Sequence, residues 1–314
     1  MANITMLDLA KQNGADVTVP LIEENLTFAP EMTILPARMI KGTSFTSLIR
    51  TNFPTVPFRQ ANGTTATVKS EYQNKIHETF YLDGQMEVDN AIAAGSDRGT
   101  DFVLTTEASG VVRGAMITLG KQVFSGISAG GDALGFPGAR DIVDTNLVLD
   151  AGGTTASTGS SVYLIVALPG YMGLIFGNNT VLTPNEWRKQ TYTDSSGNKR
   201  TVWNNSIEGW VGVEWLNKYA VVRIKKLTSD SGKGLTDSLL ARAIELLPVG
   251  VRPTHIFMSR RSRRQLQEQR TVSIFGQGEA LPGANQAIIA PTPVSYEGIP
   301  IIATDSITNT EALT

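Results

Sequence analysis

The chain has no cysteine, and only two of its 314 residues are histidine. Without cysteine it can form no disulfide and no thiolate metal site, and it has no thiol nucleophile. The two histidines, His77 and His255, lie far apart in the sequence, so they do not form a zinc-binding or nucleophile–base motif. His255 falls in a short apolar segment, where we expect it to pack in the core.

Long apolar runs and an excess of one charge are also missing. No window approaches the roughly 18 consecutive apolar residues of a membrane-spanning helix, and the N-terminus lacks the features of a signal peptide. The 27 basic and 29 acidic residues leave a net charge of −2, whereas a dedicated nucleic-acid binder is usually basic. We therefore expect a cytoplasmic globular protein without membrane segments, metal ions or cofactors.

Residues that carry catalysis are not found in useful arrangements. No HExxH motif or nucleophile elbow is present, and the carboxylates lack a spacing that would pair them on one face. The glycine-rich segment 126–138 resembles a phosphate-binding loop only in composition. It lacks the Gly-Lys-Ser/Thr ending and the preceding strand of a P-loop. We interpret this segment as a connector and expect no enzymatic activity.

The sequence does contain one long helical pattern, from Arg98 to Ile127. Thr100 and Asp101 are expected to cap its N-terminus. Three internal glycines cost about 1 kcal/mol each relative to alanine, so packing against other elements must stabilise this helix. Apolar residues recur at three- and four-residue steps, and the resulting stripe consists of Leu104, Ala108, Val111, Val112, Ala115, Leu119, Val123 and Ile127.

The chain before this helix is extended and rich in turns. Apart from one or two helical turns over Leu7–Gln12, residues 1–40 are predicted to form an arm that is either disordered or laid against another surface, such as that of another subunit. Residues 41–95 are predicted to form a projecting hairpin that turns at Asn62-Gly63. Few side chains of this hairpin can contribute to a core, and an isolated two-stranded hairpin is marginally stable. We expect a neighbouring subunit to order it.

Residues 140–228 show the pattern of β-strands. Ser160–Leu168 and Tyr171–Phe176 are predicted to pair with each other around a Pro-Gly turn. Trp187–Trp203 is predicted to form a polar hairpin, and Gly209–Leu227 to supply two further strands.

The pattern returns to helical spacing after residue 234. Leu235–Leu247 is predicted to be a helix with Thr236 near its start, and His255–Met258 a buried strand. A basic run, Arg260–Arg270, follows, and Ser295–Asp305 is a final strand. The basic run has two interpretations, a DNA-binding helix or a face that is solvated or contacts a neighbouring subunit. The absence of aromatic residues and the presence of Glu268 favour the second.

Five motifs occur in an order that is typical of one protein family. In chain order they are Phe53-Pro-Thr-Val-Pro-Phe-Arg59 before Asn62-Gly63, Leu82-Asp-Gly with Val88-Asp89, the helical segment Arg98–Ile127, Asp194-Ser-Ser-Gly-Asn198 before Ala220-Val-Val-Arg-Ile224, and Gly298-Ile-Pro-Ile301 with Thr304-Asp305 and Ile307. This order resembles that of tailed-bacteriophage major capsid proteins of the Hong Kong 97 fold.

The resemblance implies an α+β fold with four parts. These are an N-terminal arm (1–40), a projecting hairpin called the E-loop (41–95), the spine helix with a peripheral domain (96–160), to whose sheet 295–314 returns, and a β-rich segment with axial-domain helices (161–294). In the archetype further strands follow the equivalent of Gly298–Asp305. Comparable strands occur earlier here, so we expect a branch of the family with a rearranged strand order.

The function that the resemblance implies is structural. Hexamers and pentamers of the chain would form an icosahedral virion shell around double-stranded DNA, bound without sequence specificity and assembled in the host cytoplasm. A separate scaffolding protein, a portal and room for a decoration protein are also implied. The alternatives are an encapsulin-type compartment and a DNA-binding protein acting through Arg260–Arg270. The candidate intersubunit residues are Arg59, Lys69, Tyr72, Lys75, Arg260, Arg261, Arg263 and Arg264.

Overall fold

The computed structural model describes residues 4–13, 27, 29–128, 130–193, 195–275 and 290–313. Over these residues the chain has the mixed α+β architecture that the sequence predicts, with two six-stranded sheets and a separate two-stranded hairpin. The helices are α1 (Met6–Asn13), α2 (Glu31–Ile34), α3 (Asn90–Ala94), α4 (Thr100–Ser125), α5 (Ala139–Ile142), α6 (Asp237–Glu245) and α7 (Arg260–Phe275). The strands are β1 (Ala37–Met39), β2 (Ser44–Asn52), β3 (Glu71–Glu78), β4 (Phe80–Asp89), β5 (Val148–Asp150), β6 (Ser160–Ile165), β7 (Met172–Phe176), β8 (Thr183–Pro184), β9 (Arg188–Thr193), β10 (Lys199–Trp215), β11 (Val221–Leu227), β12 (His255–Met258), β13 (Ser295–Tyr296) and β14 (Ile299–Ala303).

The first sheet is built around β10, which is 17 residues long. One edge of β10 pairs antiparallel with β4, and the other edge pairs in succession with β9, β8 and β7. The short strand β1 then adds to β7 in parallel. The predicted hairpin over Trp187–Trp203 is confirmed, because β9 and the start of β10 pair across a turn in which Gly197 has a φ of 85°.

The second sheet has the order β13-β14-β12-β6-β11-β5. Its central strand β6 is buried over its whole length. Helix α6 contributes the buried Leu240 and Ala243 to the core on this sheet, and α7 contributes Leu266. The predicted start of α6 near Thr236 is confirmed, and the hydroxyl of Thr236 caps the helix by accepting a hydrogen bond from the backbone N–H of Leu239 at 3.2 Å.

The predicted pairing of Ser160–Leu168 with Tyr171–Phe176 is wrong. Strand β6 lies in the second sheet and β7 in the first, so the turn at Gly170 carries the chain from one sheet to the other. After Ser160 and Ser161 of β6, both strands are apolar or aromatic, and both are buried on two faces. Such a run predicts a buried strand without indicating its partner.

The long helix predicted over Arg98–Ile127 is confirmed as α4. Its predicted cap is wrong, because Gly99 precedes the first helical residue and no side chain caps it. The apolar stripe is buried only near the two ends of the helix, as at Leu104 and Val123, and no residue from 105 to 118 is buried. Neighbouring elements of the subunit therefore cover the ends of α4 and leave its middle partly open.

The inner part of the predicted arm is ordered, and the surface that it lies against is that of its own subunit. Leu35 and Ile40 are buried. The fully buried carboxylate of Glu31 accepts hydrogen bonds from the hydroxyls of Thr304, at 2.8 Å, and Ser306. Burial raises the pKa of Glu31. Residues 14–26 of the arm lie outside the described residues.

The predicted hairpin range of 41–95 is too long. Strands β2 and β3 form the hairpin, whereas β4 belongs to the first sheet and buries Met86 and Val88. Only Thr79 separates β3 from β4, so the chain passes from the hairpin into the sheet without a loop.

The final strand was expected to return to the sheet of the peripheral domain, which is grouped with the long helix. Instead β14 lies beside β12 in the second sheet. After it, Glu311 forms an ion pair with Arg223 of β11 at 2.6 Å. Among the described residues no helix is long and apolar enough to cross a membrane.

Candidate assembly surfaces

The base of the hairpin is attached to the first sheet by Lys75 and His77. The Lys75 ammonium donates a hydrogen bond to the backbone oxygen of Trp215 at 2.7 Å, and the backbone N–H of Trp215 donates to Nδ1 of His77 at 3.4 Å. Nε2 of His77 lies 2.9 Å from the hydroxyl of Ser47. The ring of Phe45 stacks on the imidazole with centroids 4.8 Å apart.

The surroundings of His77 keep its imidazole neutral. Burial, together with the positive charges of Lys75 and Arg38, lowers the pKa of His77 to about 4. Because Nδ1 accepts from Trp215, the ring proton resides on Nε2 and is donated to Ser47. Burial also lowers the pKa of Lys75. Lys75, which the sequence suggested as an intersubunit residue, is therefore engaged within its own subunit.

The outer face of the hairpin carries apolar side chains that have no cover. The pairing of Thr46 with Ile76 and of Arg50 with Tyr72 places these residues and Leu48 on the same face of the two strands. Leu48 is 69% exposed, Tyr72 56% and Ile76 63%. The guanidinium of Arg50 donates to the Tyr72 hydroxyl at 3.2 Å. Tyr72, one of the candidate intersubunit residues, is therefore exposed on this face.

The loop that connects β2 and β3 extends this apolar surface. Phe53, Val56, Phe58 and Val68 are all largely exposed, and Phe58 is completely so. The candidate contact residues that we selected from the sequence in this segment are polar, and Phe53, Val56 and Phe58 are not among them. The Pro-x-x-Pro spacing prevents the loop from folding back as a strand. This spacing could have indicated from the sequence that the apolar side chains of the loop stay exposed.

The charged residues of the loop are both basic. Arg59 donates from its guanidinium to the backbone oxygen of Gly63 at 2.8 Å, and Lys69 is exposed. Between residues 53 and 70 there is no acidic residue. The predicted turn at Asn62-Gly63 is confirmed by the positive φ of Asn62, 63°, and by the hydrogen bond from Gly63 N to Gln60 O at 3.0 Å.

The basic run of α7 is divided between internal and exposed roles. The guanidinium of Arg261 donates to the backbone oxygens of Thr158 and Leu227 at 2.7 and 2.9 Å. Arg270 holds the carboxylate of Asp237 through two nitrogens, at 2.8 and 3.0 Å. These two arginines connect α7 to its own subunit, so their guanidinium groups are not available to bind DNA.

The remaining arginines of α7 are more accessible. Arg260 lies 3.7 Å from the carboxylate of Asp305, and Arg264 lies 3.6 Å from Glu268 on the next turn. Both are exposed, and Arg263 is half-buried. Exposed ion pairs of this kind contribute at most about 1 kcal/mol, so these arginines are not needed for the fold.

In the glycine-rich segment 126–138, which we interpreted as a connector, two side chains hold the described residues in place. The buried amide of Gln122 donates to the backbone oxygens of Asp132 and Phe136 at 3.0 and 2.8 Å and accepts from Asp132 N at 2.7 Å. The carboxylate of Asp141 accepts from the backbone N–H groups of Ile127 and Gly138 at 2.8 and 3.1 Å. No local sequence pattern marks Gln122 for this role.

Side chains that would hold a metal ion do not come together in the described part of the chain. No group of three or more histidine, aspartate or glutamate residues has the required arrangement there.

Comparisons with known proteins agree with this architecture. A chain of the solved structure of bacteriophage Epsilon15 is similar over 100% of this chain and 98% of that chain, with 16% identity and a TM-score of 0.70. The capsid protein of bacteriophage JBD30 is similar over 96% of this chain and 99% of that chain, with 11% identity and a TM-score of 0.52. No curated protein sequence matches the chain significantly.

Sequence comparison gives the more direct assignment. The profile of the major capsid protein GP7 family matches residues 13–314, which is almost the whole chain. The match favours a phage capsid protein over the encapsulin-type and DNA-binding alternatives. The chain therefore belongs to the major capsid protein GP7 family, and it is a structural protein of a bacteriophage capsid shell with the Hong Kong 97-type fold.

Proposed function

We propose that copies of this chain form the hexamers and pentamers of an icosahedral shell around double-stranded DNA, and that the hairpin of each copy lies on the next copy. One observation carries this proposal. Exposed apolar surface that continues over several residues marks an interaction site in a soluble protein. The hairpin exposes seven large apolar side chains, namely Leu48, Phe53, Val56, Phe58, Val68, Tyr72 and Ile76.

The contact that we propose is heterologous, because a hairpin on one copy meets a different surface on its neighbour. A heterologous contact closes a ring when the rotation between copies fits an integer number of subunits. The strongly anchored base at Lys75 and His77 and the exposed loop beyond it suit this geometry. The base sets the direction of the hairpin, and the loop adapts to rings of five or six subunits.

Within this contact, Arg59, Lys69 and Tyr72 are our candidates for direct contact with a neighbour. Arg260, Arg263 and Arg264 are candidates for a second, polar contact between subunits, since α7 exposes them without needing them for its own packing. Lys75 and Arg261 act in a different way in this proposal, because they position the hairpin and α7 through backbone oxygens of their own subunit.

The remaining partners follow from the shell. A net charge of −2 suits the enclosure of DNA without sequence specificity, because a strongly basic wall would bind phosphates tightly and hinder release. Assembly in the host cytoplasm would use a separate scaffolding protein and a portal, and the finished shell would have room for a decoration protein.

Replacing residues 53–70 with a short Gly-Ser linker tests the proposal. This change removes the exposed loop and keeps the anchored residues Lys75 and His77. We expect unchanged circular dichroism and thermal melting, while gradient sedimentation and negative-stain microscopy show no closed shells. Val249→Ser is the matched control, because it removes an exposed apolar side chain outside the hairpin, and it should assemble.

Two outcomes would contradict the proposal. Normal shells from the linker variant would show that the loop is not needed between copies. Loss of the melting transition of the isolated subunit would show that the loop belongs to the subunit's own core.

A further inference from the structure

A polar groove of about 420 Å³ lies on the first sheet, on the face opposite to α4. The side chains of Ile207 of β10 and Val111 of α4 both approach Gly84 of β4, so the face of β10 that carries Ile207 is the one that α4 covers. Side chains at even positions from Asn204 to Glu208 therefore point to the opposite face. The volume is within the range of roughly 300–1,000 Å³ that is usual for ligand sites.

The groove is formed where the edge of the sheet bulges. Strands β8 and β9 pair in succession with the same edge of β10. Between these two pairings, residues 185–187 stand opposite only residues 205 and 206, and an extra residue of this kind bends a strand away from its partner. The register of β9 places Arg188 directly opposite Asn204, so the guanidinium lies on the same face as the groove.

Hydrogen bonds fix one wall of the groove before any ligand binds. The side-chain nitrogen of Asn185 donates to the hydroxyl of Ser206 at 2.9 Å and to one carboxylate oxygen of Glu208 at 3.0 Å. The hydroxyl of Tyr81 donates to the other oxygen at 2.7 Å. The hydrogen bonds from Tyr81 and Asn185 lower the pKa of Glu208, so this group is a carboxylate at neutral pH. Each carboxylate oxygen has a second lone pair, and Glu208 can therefore accept further hydrogen bonds from a ligand.

The groove carries charges of both signs. Its lining includes the exposed side chains of Glu186 and Arg188 in addition to Glu208. The carboxylates disfavour an anionic ligand and the guanidinium disfavours a cationic one, so a neutral ligand is the best match. Carboxylates only accept hydrogen bonds, guanidinium groups only donate them, and the amide of Asn185 does both. A ligand with many hydroxyl groups, each of which donates and accepts, suits this combination.

An aromatic pair continues the same face of the sheet beyond Glu208. Tyr81 and Trp210 are cross-strand partners, and their rings meet edge to face with centroids 5.2 Å apart. Trp210 follows Glu208 by two positions and therefore shares its face, and Tyr81 is 50% exposed. A sugar ring has C–H groups on its faces and hydroxyls at its edge, so an exposed aromatic ring beside polar groups is complementary to it.

We propose that this groove binds neutral polysaccharide chains, with one sugar ring between Glu208 and Arg188 and the next ring against Tyr81. Hydroxyls of the first ring donate to the carboxylate of Glu208 and accept from the guanidinium of Arg188. An open groove of this kind binds a single chain segment weakly, and its repetition over many subunits raises the apparent affinity. The groove lies within one subunit, so this inference is independent of the proposed contacts between copies.

Retention on beads of neutral polysaccharide tests the proposal. Cross-linked dextran, agarose and mannan-coated beads present rings of glucose, galactose and mannose. We expect the full-length chain to bind at least one of these beads and to be released by the corresponding free sugar. High salt should not release it, because contacts with a neutral ligand are not screened. No retention on any of the three beads, or retention that high salt abolishes, would overturn the proposal.

Two substitutions test whether the groove is the binding site. Arg188→Ala and Glu208→Gln should each weaken retention at least about tenfold, as the loss of a hydrogen bond to a charged group predicts. The matched controls Arg242→Ala and Glu245→Gln change exposed residues of α6 and should bind as the wild type does. Thermal melting checks the fold, and if Glu208→Gln is destabilised, the exposed Arg188 decides alone. Wild-type retention of Arg188→Ala, or an equal loss of retention in the controls, would show that the groove does not bind the polysaccharide.

Discussion

The hairpin β2–β3 and the basic helix α7 use their side chains in opposite ways. The hairpin attaches to its subunit with a few polar groups at the base and leaves its apolar residues exposed. Helix α7 buries Leu266 and Ser262, and commits Arg261 and Arg270 to its own subunit. The hairpin is therefore available for contact with a neighbouring subunit, whereas α7 mainly packs on the second sheet of its own subunit.

The difference shows why a basic run is weak evidence for an interface. A guanidinium has five donors and can satisfy several backbone oxygens at once, as Arg261 does. An exposed leucine or phenylalanine gains nothing comparable from water, so a continuous group of them indicates a partner more directly.

The strongest test of this comparison is Arg261→Ala against Arg264→Ala. Loss of Arg261 leaves the backbone oxygens of Thr158 and Leu227 without a donor, so we expect the free energy of unfolding to fall by about 2–3 kcal/mol. Arg264 is exposed, and its removal should change the value by less than about 0.5 kcal/mol. Urea denaturation measures both, and equal effects would show that the internal role assigned to Arg261 is wrong.

Acid should loosen the base of the hairpin through His77. The folded-state pKa of His77 is about 4, below the value of about 6.5 in the unfolded chain. Its contribution to stability is therefore complete above pH 6.5 and is lost as the pH falls towards 4. We expect the loss to reach about 2 kcal/mol at pH 4.5.

Thermal melting of the wild type and of His77→Gln at pH 7 and pH 4.5 isolates this effect from that of other groups. Glutamine at this position has no charge to gain, so its variant should lose less stability in acid. If both proteins lose the same stability between pH 7 and pH 4.5, the assignment of a neutral buried imidazole to His77 is wrong.

A smaller effect is expected where α7 meets α6. Arg270 and Asp237 form a two-point ion pair, but both side chains are partly exposed to solvent. Solvent screening reduces the value of such a pair, so a double-mutant cycle with Arg270→Ala and Asp237→Ala should give a coupling of about 1 kcal/mol. If the effects of the two single substitutions on the free energy of unfolding are additive, this pair contributes no more to stability than the exposed arginines do.

The smallest effect on stability is expected on the outer face of the hairpin. Ile76→Ser should change the free energy of unfolding by less than about 0.5 kcal/mol, since the side chain is 63% exposed. The same variant should reduce shell yield in gradient sedimentation. A clear drop in melting temperature would mean that the outer face contributes to the subunit's own stability.

Features that depend on neighbouring residues in the sequence were predictable. The periodicity of Arg98–Ile127 identified α4 to within two residues at each end, and Asn62-Gly63 identified the turn of the hairpin loop. Thr236 identified the start of α6. Each of these signals arises from backbone geometry or capping within a few residues, so no knowledge of the rest of the fold is needed.

The candidate site was predicted only in part, for the same reason. The sequence located the hairpin and Tyr72, yet it could not show that Lys75 and His77 would meet Trp215, 138 or more residues further along the chain. The partner that a polar side chain finds decides whether it faces a neighbour or its own subunit.

The tertiary structure alone decided which elements lie together. Strands β6 and β7 are adjacent in the sequence but lie in different sheets, and Glu31 is held by Thr304 and Ser306 from the far end of the chain. Gln122 organises a loop that looked like a simple connector. Burial and hydrogen bonding between distant segments are properties of the packed chain, and apolar runs or polar side chains are compatible with many partners until packing selects one.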